Sequence, residues 1–496
     1  MELRKYQIDA ISRTRDSLAN GNRKVILHAP TGAGKTVMST EIISLARGKG
    51  SKVLFLANRR ELIFQAKETM IEFGISPGVI MAGEEPSHKD SVQIASMQTY
   101  VRRMNLSSLS TNPWFHDANI IIVDECHSSI SPSYQKILQS YKNNVVTIGL
   151  TATPCRGDGR GLGEYYDDII STADIGDLIS QEFLVPVRYF VPSTPDLAKI
   201  KTIAGDYDKK ELGARMDNKK LVGDIVDNWL KICPNRKTII FAVNVKHSKH
   251  IINSFISVGI EAEHIDARTP AEERAEVLNR LKNGSTQIVS NVGILTEGFD
   301  FPAASCIVLA RPTKSLGLYL QMAGRGLRIF EGKGNMILID HGGCVEDHGL
   351  VEWSREWSLD GEEIAWKKKE IEGKEKAMLK CRACNLVYEN SDKCPDCGTV
   401  PISFGKKIET VDADLEEVTA TKTAATMGEK RRWYGMMLHY GRAKGWSDGA
   451  AAHRYREKFK VWPKGLKGTA TIEPDNTFLS YQRHLQIKYA KSKNKS

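Results

Sequence analysis

The chain of 496 residues is 41% hydrophobic and 26% charged, with a formal net charge of +10. This length leaves room for about three domains, and the composition is ordinary for a globular protein. No apolar run approaches the roughly 20 residues of a membrane-spanning helix, and residues 1–5 lack the apolar segment of a signal peptide. The composition therefore excludes a membrane protein, and we expect a cytoplasmic protein with no membrane partner.

The first informative string is A-P-T-G-A-G-K-T at residues 29–36, between a strand-like apolar run and a helix-like stretch. Its glycines let backbone N–H groups surround phosphate oxygens, and the N-terminus of the following helix favours negative charge. Lys35 supplies a cation for the outer phosphates, and Thr36 offers a hydroxyl group to Mg²⁺. The residues predicted to hold a nucleotide here are Thr31, Gly32, Ala33, Gly34, Lys35 and Thr36.

The second string is D-E-C-H, which follows the continuous apolar run at residues 120–123. Such a run is typical of a parallel strand buried on both faces, and ligands bind where these strands end. We therefore predict that Asp124 holds Mg²⁺ together with Thr36. Glu125 is predicted to orient or deprotonate the attacking water, and His127 to couple the site to its surroundings.

Strand-like runs alternate with helix-like stretches along most of the chain. The runs in the first part are at residues 25–27, 53–56, 92–95, 120–123 and 145–150, and those in the second part are at 238–241, 287–290, 306–309 and 336–339. This alternation predicts an α/β fold with two tandem parallel-sheet domains, at residues 1–192 and 193–352.

Four of the nine cysteines form two C-x-x-C pairs with nine residues between them. Four thiolates at this spacing can close a tetrahedron around Zn²⁺, and such a closed site is structural. The predicted zinc ligands are Cys381, Cys384, Cys394 and Cys397. A charged, helical connector and this zinc module are expected at residues 353–405, followed by a linker at 406–427. The other five cysteines are scattered without a pairing pattern, which fits a reducing cytosol.

The positive charge is concentrated at the end of the chain. Residues 428–496 contain 16 Lys and Arg against 5 Asp and Glu, a net charge of +11, while the rest of the chain carries −1. Seven Trp, Tyr and Phe residues are interleaved with these basic residues between 433 and 462. Basic side chains beside aromatic rings suit nucleic acid, and the same aromatic residues suit the core of a small helical domain. Both interpretations of this basic, mainly helical C-terminal domain stay open.

Further strings complete a known set in a known order. They are L-R-x-Y-Q at residues 3–7, A-N-R-R-E-L at 57–62, S-M-Q-T at 96–99, T-A-T-P at 151–154, I-I-F-A at 239–242, N-V-G-I-L-T-E-G-F-D at 291–300 and Q-M-A-G-R-G-L-R at 321–328. With the two strings above, they make residues 1 to about 350 resemble a superfamily 2 helicase of the DEAD/DEAH-box type. The resemblance implies two RecA-like domains that couple ATP hydrolysis to movement on a nucleic acid.

The resemblance also implies roles for individual residues. Arg4 and Gln7 would read the adenine of ATP, and T-A-T-P would join hydrolysis to movement of the two domains. The residues expected to contact the backbone of a nucleic-acid strand are Arg60, Gln98, Thr99 and Thr296.

Arg325 and Arg328 resemble arginine fingers. Because they are three residues apart, they are predicted to lie on one helical face, directed at the nucleotide of the other domain. Their guanidinium groups would stabilise charge on the γ-phosphate when the domains close. The expected catalytic residues are Glu125, Gln321, Arg325 and Arg328, with Gln321 helping to place the water.

The order of these motifs and the zinc module that follows them most resemble RadD-type DNA repair helicases of bacteria and phages. That subgroup implies a monomer that acts on single-stranded or forked DNA in repair, recombination or replication, with a single-strand-binding protein as a possible partner. An RNA helicase and the motor of a restriction system are alternatives, although we find no D…E-x-K nuclease motif beyond the motor. A third alternative is a nucleotide-regulated clamp that binds nucleic acid without unwinding it.

Overall fold

The coordinates are those of a computed structural model. The residues that this structure describes are 2–84, 90–104, 114–141, 145–156, 159–192, 195–203, 205–296, 298, 301–360, 378–389, 391–400, 402–403, 427–459, 462–463, 466, 468–475 and 478. The chain forms two compact units, Met1–Lys407 and Ile408–Ser496.

The first domain of the larger unit is an α/β domain. Its strands are β1 (Lys24–His28), β2 (Val53–Ala57), β3 (Gly78–Ile80), β4 (Val92–Ser96), β5 (Ile120–Asp124), β6 (Val146–Thr151) and β7 (Asp168–Ser171). Its helices are α1 (Lys5–Ala19), α2 (Lys35–Gly48), α3 (Arg60–Glu72), α4 (Met97–Met104), α5 (Pro132–Gln139) and α6 (Ile175–Ser180). The seven strands form one parallel sheet in the order β3-β4-β2-β5-β6-β1-β7.

The apolar runs of the first domain form strands because their side chains are buried. The order of the strands fixes where the phosphate loop and the acidic residues lie. Strands β2 and β4 are buried along their whole length, as expected when helices cover both faces of a sheet. Strand β6 pairs with β1 on one side and with β5 on the other. The loops that follow β1 and β5 therefore open at the same edge of the sheet.

The second domain repeats this plan. Its strands are β8 (Val187–Phe190), β11 (Thr238–Phe241), β12 (Ala262–Ile265), β13 (Ile288–Asn291), β14 (Cys306–Leu309) and β15 (Met336–Asp340), with a small hairpin of β9 (Thr202–Ile203) and β10 (Asp206–Tyr207) beside them. Its helices are α7 (Lys209–Met216), α8 (Lys219–Ile232), α9 (Val245–Ile256), α10 (Ala271–Asn283), α11 (Leu316–Gly324) and α12 (Cys344–His348). Together the two domains form the tandem RecA-like α/β fold that the sequence predicts.

Strand β8 corrects one predicted boundary. We expected the first domain to end at residue 192, but β8 pairs in parallel with β15, with Val187 opposite Met336. The chain has therefore already entered the second sheet at Val187. This strand is short, and it precedes the polar stretch at which the sequence predicts the second domain to begin.

The cysteine-rich module continues the second sheet. Its strands are β16 (Met378–Lys380), β17 (Leu386–Glu389) and β18 (Ile402–Ser403), and they complete the order β12-β13-β11-β14-β15-β8-β17-β16-β18. Strand β17 runs antiparallel to β8, with Leu386 opposite Phe190. The module is thus hydrogen-bonded to the second domain and does not stand apart from it. Most of the connector predicted as helical, residues 361–377, lies outside the described residues, and residues 353–360 are not helical.

The smaller unit contains two packed helices, α13 (Met427–Ala443) and α14 (Asp448–Phe459). Their core includes Tyr434, Met437, Tyr455 and Phe478, all buried. The linker predicted at 406–427 falls outside the described residues, except for Met427. None of the described helices combines the length and apolar character that a bilayer-spanning segment needs.

Candidate active site

The phosphate-loop string forms a tight turn between β1 and α2. Gly32 and Gly34 have φ angles of 87° and 81°, in the left-handed region that favours glycine. A Cβ atom on Gly34 would also lie 2.5 Å from Nε2 of Gln7. Helix α2 begins directly at Lys35, whose Nζ lies 3.3 Å from the carbonyl oxygen of Ala29. The loop therefore presents the positive end of a 14-residue helix and an ammonium group to the same space.

The two acidic residues follow β5 at the edge where the phosphate loop opens. The backbone N–H of Glu125 donates to Oδ1 of Asp124 at 3.0 Å. Glu125 itself has φ 49° and ψ 55°, a left-handed conformation that is uncommon for a residue other than glycine. Backbone strain of this kind is concentrated at functional sites.

The carboxyl groups of Asp124 and Glu125 have very different pKa values. Burial, together with the charge of Glu125, raises the pKa of Asp124 to about 7. Burial alone would also raise the pKa of Glu125, but a hydrogen bond from His127 and the charge of Lys35 lower it to about 2. Glu125 is therefore ionised at neutral pH and can accept a hydrogen bond or a proton. A metal ion bound at Asp124 would favour the ionised form of that carboxyl group too.

His127 connects Glu125 to the end of the neighbouring strand β6. Its Nδ1 lies 3.4 Å from Oε2 of Glu125 and 3.2 Å from Oγ1 of Thr151. The Thr151 hydroxyl in turn accepts a hydrogen bond from the backbone N–H of Thr153 at 3.0 Å. A Cβ atom on Gly317, in α11 of the second domain, would lie 3.2 Å from Oγ1 of Thr153. A continuous set of contacts thus runs from the acidic residues to the second domain.

The second domain places two arginines against the phosphate loop. Arg325 and Arg328 are both close enough to Lys35 that their charges lower its pKa, although burial of the lysine is the larger cause. The Arg328 side chain packs 3.7 Å from where a Cβ on Gly32 would lie. Nη2 of Arg325 donates to the carbonyl oxygen of Thr296 at 2.5 Å. The site thus gathers cationic groups from both domains in one space, which suits a polyphosphate.

The geometry of these arginines differs from the prediction in one respect. We expected them on one helical face, but α11 ends at Gly324, so Arg325 forms its C-cap and Arg328 lies beyond the helix. Gln321, the third predicted residue from this string, is buried within α11.

The N-terminal string lies beside the phosphate loop. The Gln7 amide donates from Nε2 to the carbonyl oxygen of Ala33 at 3.1 Å and accepts from the backbone N–H of Arg4 at 2.9 Å. Tyr6 donates to the same Ala33 carbonyl at 2.9 Å. Gln7 therefore supports the phosphate loop.

Phe183 is a neighbour of this region that sequence reasoning missed. The Arg4 guanidinium lies 4.0 Å from the centroid of the Phe183 ring, and the ring of Tyr6 lies 5.8 Å from it. The three side chains make an aromatic and cationic surface of the kind that stacks on a base. Phe183 follows α6, far along the chain from Arg4, and no motif marks it.

The predicted strand-contacting residues lie on three different elements. Arg60 begins α3 and is exposed, while Gln98 and Thr99 are in the first turn of α4. Helices α3 and α4 follow the adjacent strands β2 and β4, so these three residues lie at one edge of the first sheet. Thr296 is buried instead, and its carbonyl oxygen is the acceptor for Arg325. Across the cleft, Arg59 donates to the carbonyl oxygen of Ile294 at 3.2 Å, a contact that no motif predicts.

The four module cysteines lie together. Each sulfur atom is within 4.8 Å of the others, with Cys381 and Cys397 at 3.3 Å and Cys384 and Cys394 at 3.6 Å. A tetrahedron with metal–sulfur bonds of about 2.3 Å has sulfur–sulfur edges of roughly 3.8 Å, so four thiolates here fit Zn²⁺. Among the described residues, this is the one cluster of potential metal ligands that the geometry brings together.

Two of the scattered cysteines also meet. The sulfur atoms of Cys233, which follows α8, and Cys306, in β14, lie 3.4 Å apart in the core of the second domain. Both are free and buried. The two cysteines are far apart in the chain, so their spacing in the sequence does not predict that they meet.

Two segments of the chain match known protein families. Residues 1–156 match the family described as Type III restriction enzyme, res subunit. Residues 221–330 match the family described as Helicase conserved C-terminal domain.

Similar proteins come from a phage, a yeast and a bacterium. A 51.5 kDa protein of a Lactococcus phage is 32% identical over 400 residues, which are 80% of this chain and 83% of that protein. The ATP-dependent helicase IRC3 of Saccharomyces cerevisiae is 32% identical over 68% of this chain and 51% of its own length. The Type I restriction enzyme EcoAI endonuclease subunit of Escherichia coli is 26% identical over 67% of this chain. The chain spans only about half of the yeast protein and 45% of the restriction subunit.

Solved structures share the fold. The fragment of an HsdR subunit of a type I restriction enzyme from Vibrio vulnificus YJ016 has a TM-score of 0.56 at 24% identity, covering 72% of this chain and 66% of that one. The ATP-dependent Type ISP restriction-modification enzyme LlaBIII bound to DNA has a TM-score of 0.52 at 21% identity, covering 68% of this chain and 27% of that one.

Two RecA-like domains that meet at a phosphate loop define an ATP-driven motor of the helicase and translocase class. The chain belongs to the superfamily 2 helicases. This family implies ATP and Mg²⁺ as the nucleotide and its metal ion.

Proposed function

We propose that this protein is an ATP-dependent translocase or helicase that acts on single-stranded or forked DNA. The observation that carries this proposal is the closeness of Arg325 and Arg328 to the phosphate loop, where their charges act on Lys35. Because these arginines belong to the second domain, a nucleotide on the loop is contacted by both domains at once. Hydrolysis and closure of the cleft are thereby linked, as a motor requires.

Each site residue has a distinct part in hydrolysis. Lys35 and the loop N–H groups bind the outer phosphates, and Thr36 and Asp124 would hold Mg²⁺, which when bound neutralises charge on those phosphates. Glu125 orients the attacking water, and Gln321 helps to place it. Arg325 and Arg328 stabilise the charge that accumulates on the transferred phosphoryl group.

The contacts through Thr151 supply the coupling between chemistry and movement. A change at Glu125 reaches His127, Thr151 and Thr153 in turn, and Thr153 packs against Gly317 of the second domain. Release of the cleaved phosphate would loosen this set of contacts and let the domains separate. Each cycle then moves the clamp along the strand.

The strand would bind at the edge of the first sheet, through Arg60, Gln98 and Thr99, with Thr296 from the second domain. Contacts of this kind reach phosphates and not base edges, so base sequence should matter little. DNA is supported as the strand by the relatives, among which LlaBIII was solved bound to DNA and XPB2 of Sulfurisphaera tokodaii is named a DNA translocase.

The cellular setting follows from the resemblance and the phage relative. We propose a monomer in the cytoplasm of a bacterial or phage-infected cell, acting in DNA repair, recombination or replication, with a single-strand-binding protein as a partner. Zn²⁺ bound by the four module cysteines would serve as a structural ion.

A restriction-system motor is the second candidate, because the first half of the motor matches the restriction-enzyme family. A strand-displacement assay separates the possibilities. The purified protein with ATP should displace a labelled strand from forked DNA, and the Lys35→Ala variant should not. Cleavage of the DNA would support the restriction system, displacement from an RNA duplex alone would support the RNA helicase, and ATP-dependent binding without displacement would support the clamp.

A further inference from the structure

Residues 428–496, the C-terminal part of the smaller unit, carry the excess positive charge of the chain. Residues 428–496 have a net charge of +11, while the remaining residues carry −1. Charge of this density attracts polyanions, and none of these residues belongs to the candidate active site. The question is which surface of the unit would receive a polyanion.

The buried aromatic residues of the unit are explained by its core. Tyr434 and Tyr455 pack edge to face at 5.4 Å, and Phe478 is fully buried beside Trp433. The interpretation of these aromatics as a helical core is therefore correct for this group. Trp462 is different, because 41% of its surface is exposed. A place in the core therefore does not explain the presence of a tryptophan at this position.

Trp462 lies against two basic residues of α14. The guanidinium of Arg456 is 4.8 Å from the centroid of its ring, and the ring of His453 is 4.9 Å away at an angle of 77°. His453 and Arg456 are three residues apart on the helix, and both are exposed. We call His453, Arg456 and Trp462 the α14 platform.

The rest of α14 follows the same pattern. The Arg454 guanidinium lies 4.9 Å from the Trp446 ring centroid, and the Lys458 ammonium lies 3.5 Å from that of Trp433. Basic side chains of α14 thus lie over aromatic rings at three places.

These features suit one kind of ligand. The net positive charge of residues 428–496 attracts the phosphates of a nucleic acid, and an exposed ring offers a stacking surface to an unpaired base. Cation–ring pairs also stabilise a fold, but such stabilisation does not require the Trp462 ring to stay open to solvent.

We propose that the α14 platform is a second binding site for single-stranded DNA, separate from the motor. Arg456 and His453 contact phosphates, and Trp462 stacks on a base. The choice of DNA rests on the proposed function of the motor. A site on the smaller unit would keep the protein on its strand while the cleft of the motor opens.

The test uses the full-length protein without nucleotide and a fluorescent oligo(dT) probe, with oligo(U) as a second probe. Anisotropy titrations over a range of salt concentrations give the affinity and its salt dependence. Arg456→Ala should weaken binding and reduce the slope of log K against log salt by about one, because one phosphate contact is lost. Trp462→Ala should weaken binding by about fivefold or more, and Trp462→Phe should retain most of the affinity because a ring remains.

Lys444→Ala is the matched control, since it removes one exposed positive charge from the turn between α13 and α14, outside the three residues of the platform. Equal effects of Lys444→Ala and Arg456→Ala would show general attraction and overturn the platform, as would wild-type affinity in both Trp462 variants. Tighter binding of oligo(U) than of oligo(dT) would overturn the assignment to DNA. The Arg456→Ala result does not depend on Trp462, so it stands even where a tryptophan variant folds poorly.

The ATPase of the same variants separates this inference from the proposed function. With DNA at saturation, the platform variants should reach the wild-type kcat but need several-fold more DNA to do so. Loss of oligo(dT) binding in proteins whose ATPase ignores DNA would support the platform and contradict the proposed function. Platform variants that bind oligo(dT) as tightly as the wild type, in a protein whose ATPase responds to DNA, would support the proposed function and contradict the platform.

Discussion

Gly324 of the second domain lies directly against Thr31 of the phosphate loop. A Cβ atom on Gly324 would approach the Cβ of Thr31 to 2.6 Å, which is closer than such atoms can come. The two domains can therefore close to this extent only because residue 324 has no side chain. The contact also places Arg325, the next residue, at the loop.

Gly324→Ala should lower the rate of ATP hydrolysis without unfolding either domain, because the clash arises only when the domains close. Overpacking costs roughly 1–3 kcal/mol, so kcat should fall by about tenfold or more. Gly334→Ala is the control, since nothing lies within 4 Å of the added methyl group. Steady-state kinetics with thermal unfolding of each variant makes the comparison, and a Gly324→Ala enzyme with normal kcat would contradict the closed arrangement.

Arg325→Ala and Arg328→Ala should each reduce kcat while leaving ATP binding largely intact. Loss of an arginine finger costs on the order of a thousandfold in rate, because charge on the transferred phosphoryl group is no longer stabilised. Binding of a fluorescent ATP analogue is measured beside kcat. Arg382→Ala, which changes an exposed arginine of the cysteine module, serves as the control. A loss confined to nucleotide affinity would argue that the arginines only hold ATP.

Thr151→Val should separate hydrolysis from movement, because it removes the hydroxyl that links His127 to Thr153. We expect basal ATPase activity to fall modestly and strand displacement per ATP hydrolysed to fall several-fold. Thr147→Val changes a buried threonine earlier in the same strand and should leave that ratio as in the wild type. Parallel loss of both activities in Thr151→Val would contradict a coupling role.

Acid should destabilise the first domain through His28. Burial, with a smaller effect of Lys35, lowers the pKa of this imidazole to about 3 from the ordinary value of 6.5. Between these values the unfolded chain binds a proton that the folded chain does not, so the free energy of unfolding falls as the pH falls from about 6.5 towards about 3. Denaturant unfolding at about pH 7 and about pH 5 should show a smaller difference for His28→Gln than for wild type. Identical pH dependence would mean that His28 does not titrate in this way.

Removal of Zn²⁺ should destabilise the second domain as well as the cysteine module. Strand β17 of the module is paired with β8, and β8 with β15, so loss of the module exposes a sheet edge. We expect one zinc ion per chain by elemental analysis, and a lower Tm after chelation or in Cys381→Ser. Cys155→Ser, outside the cluster, should change neither. A chain without bound zinc would contradict the assignment.

Much of the fold could be predicted because the relevant signals are local. The apolar runs at 238–241 and 306–309 coincide with strands β11 and β14, and most other predicted strands differ from the observed ones by one residue at an end. The phosphate loop and D-E-C-H carry their geometry in adjacent residues. Their position at the edge of the sheet therefore follows from the amino-acid sequence alone.

The remainder depends on contacts between distant parts of the chain. Strand β8 has no local sign that it belongs to the second sheet, because its partner β15 follows it by more than a hundred residues. Phe183 and Arg4 are far apart in the chain, and only the tertiary structure brings them together. The packing of Gly324 against Thr31 joins two domains, and neither string alone indicates how closely they approach.

The most direct test of the central claim is steady-state ATP hydrolysis without nucleic acid and with single-stranded DNA, forked DNA or RNA, for wild type and Lys35→Ala. A motor driven along DNA should hydrolyse ATP faster with either DNA than without it, and Lys35→Ala should lose activity by about a hundredfold or more because the phosphates lose their cation. Full activity in Lys35→Ala, or wild-type hydrolysis that DNA leaves unchanged, would contradict the account.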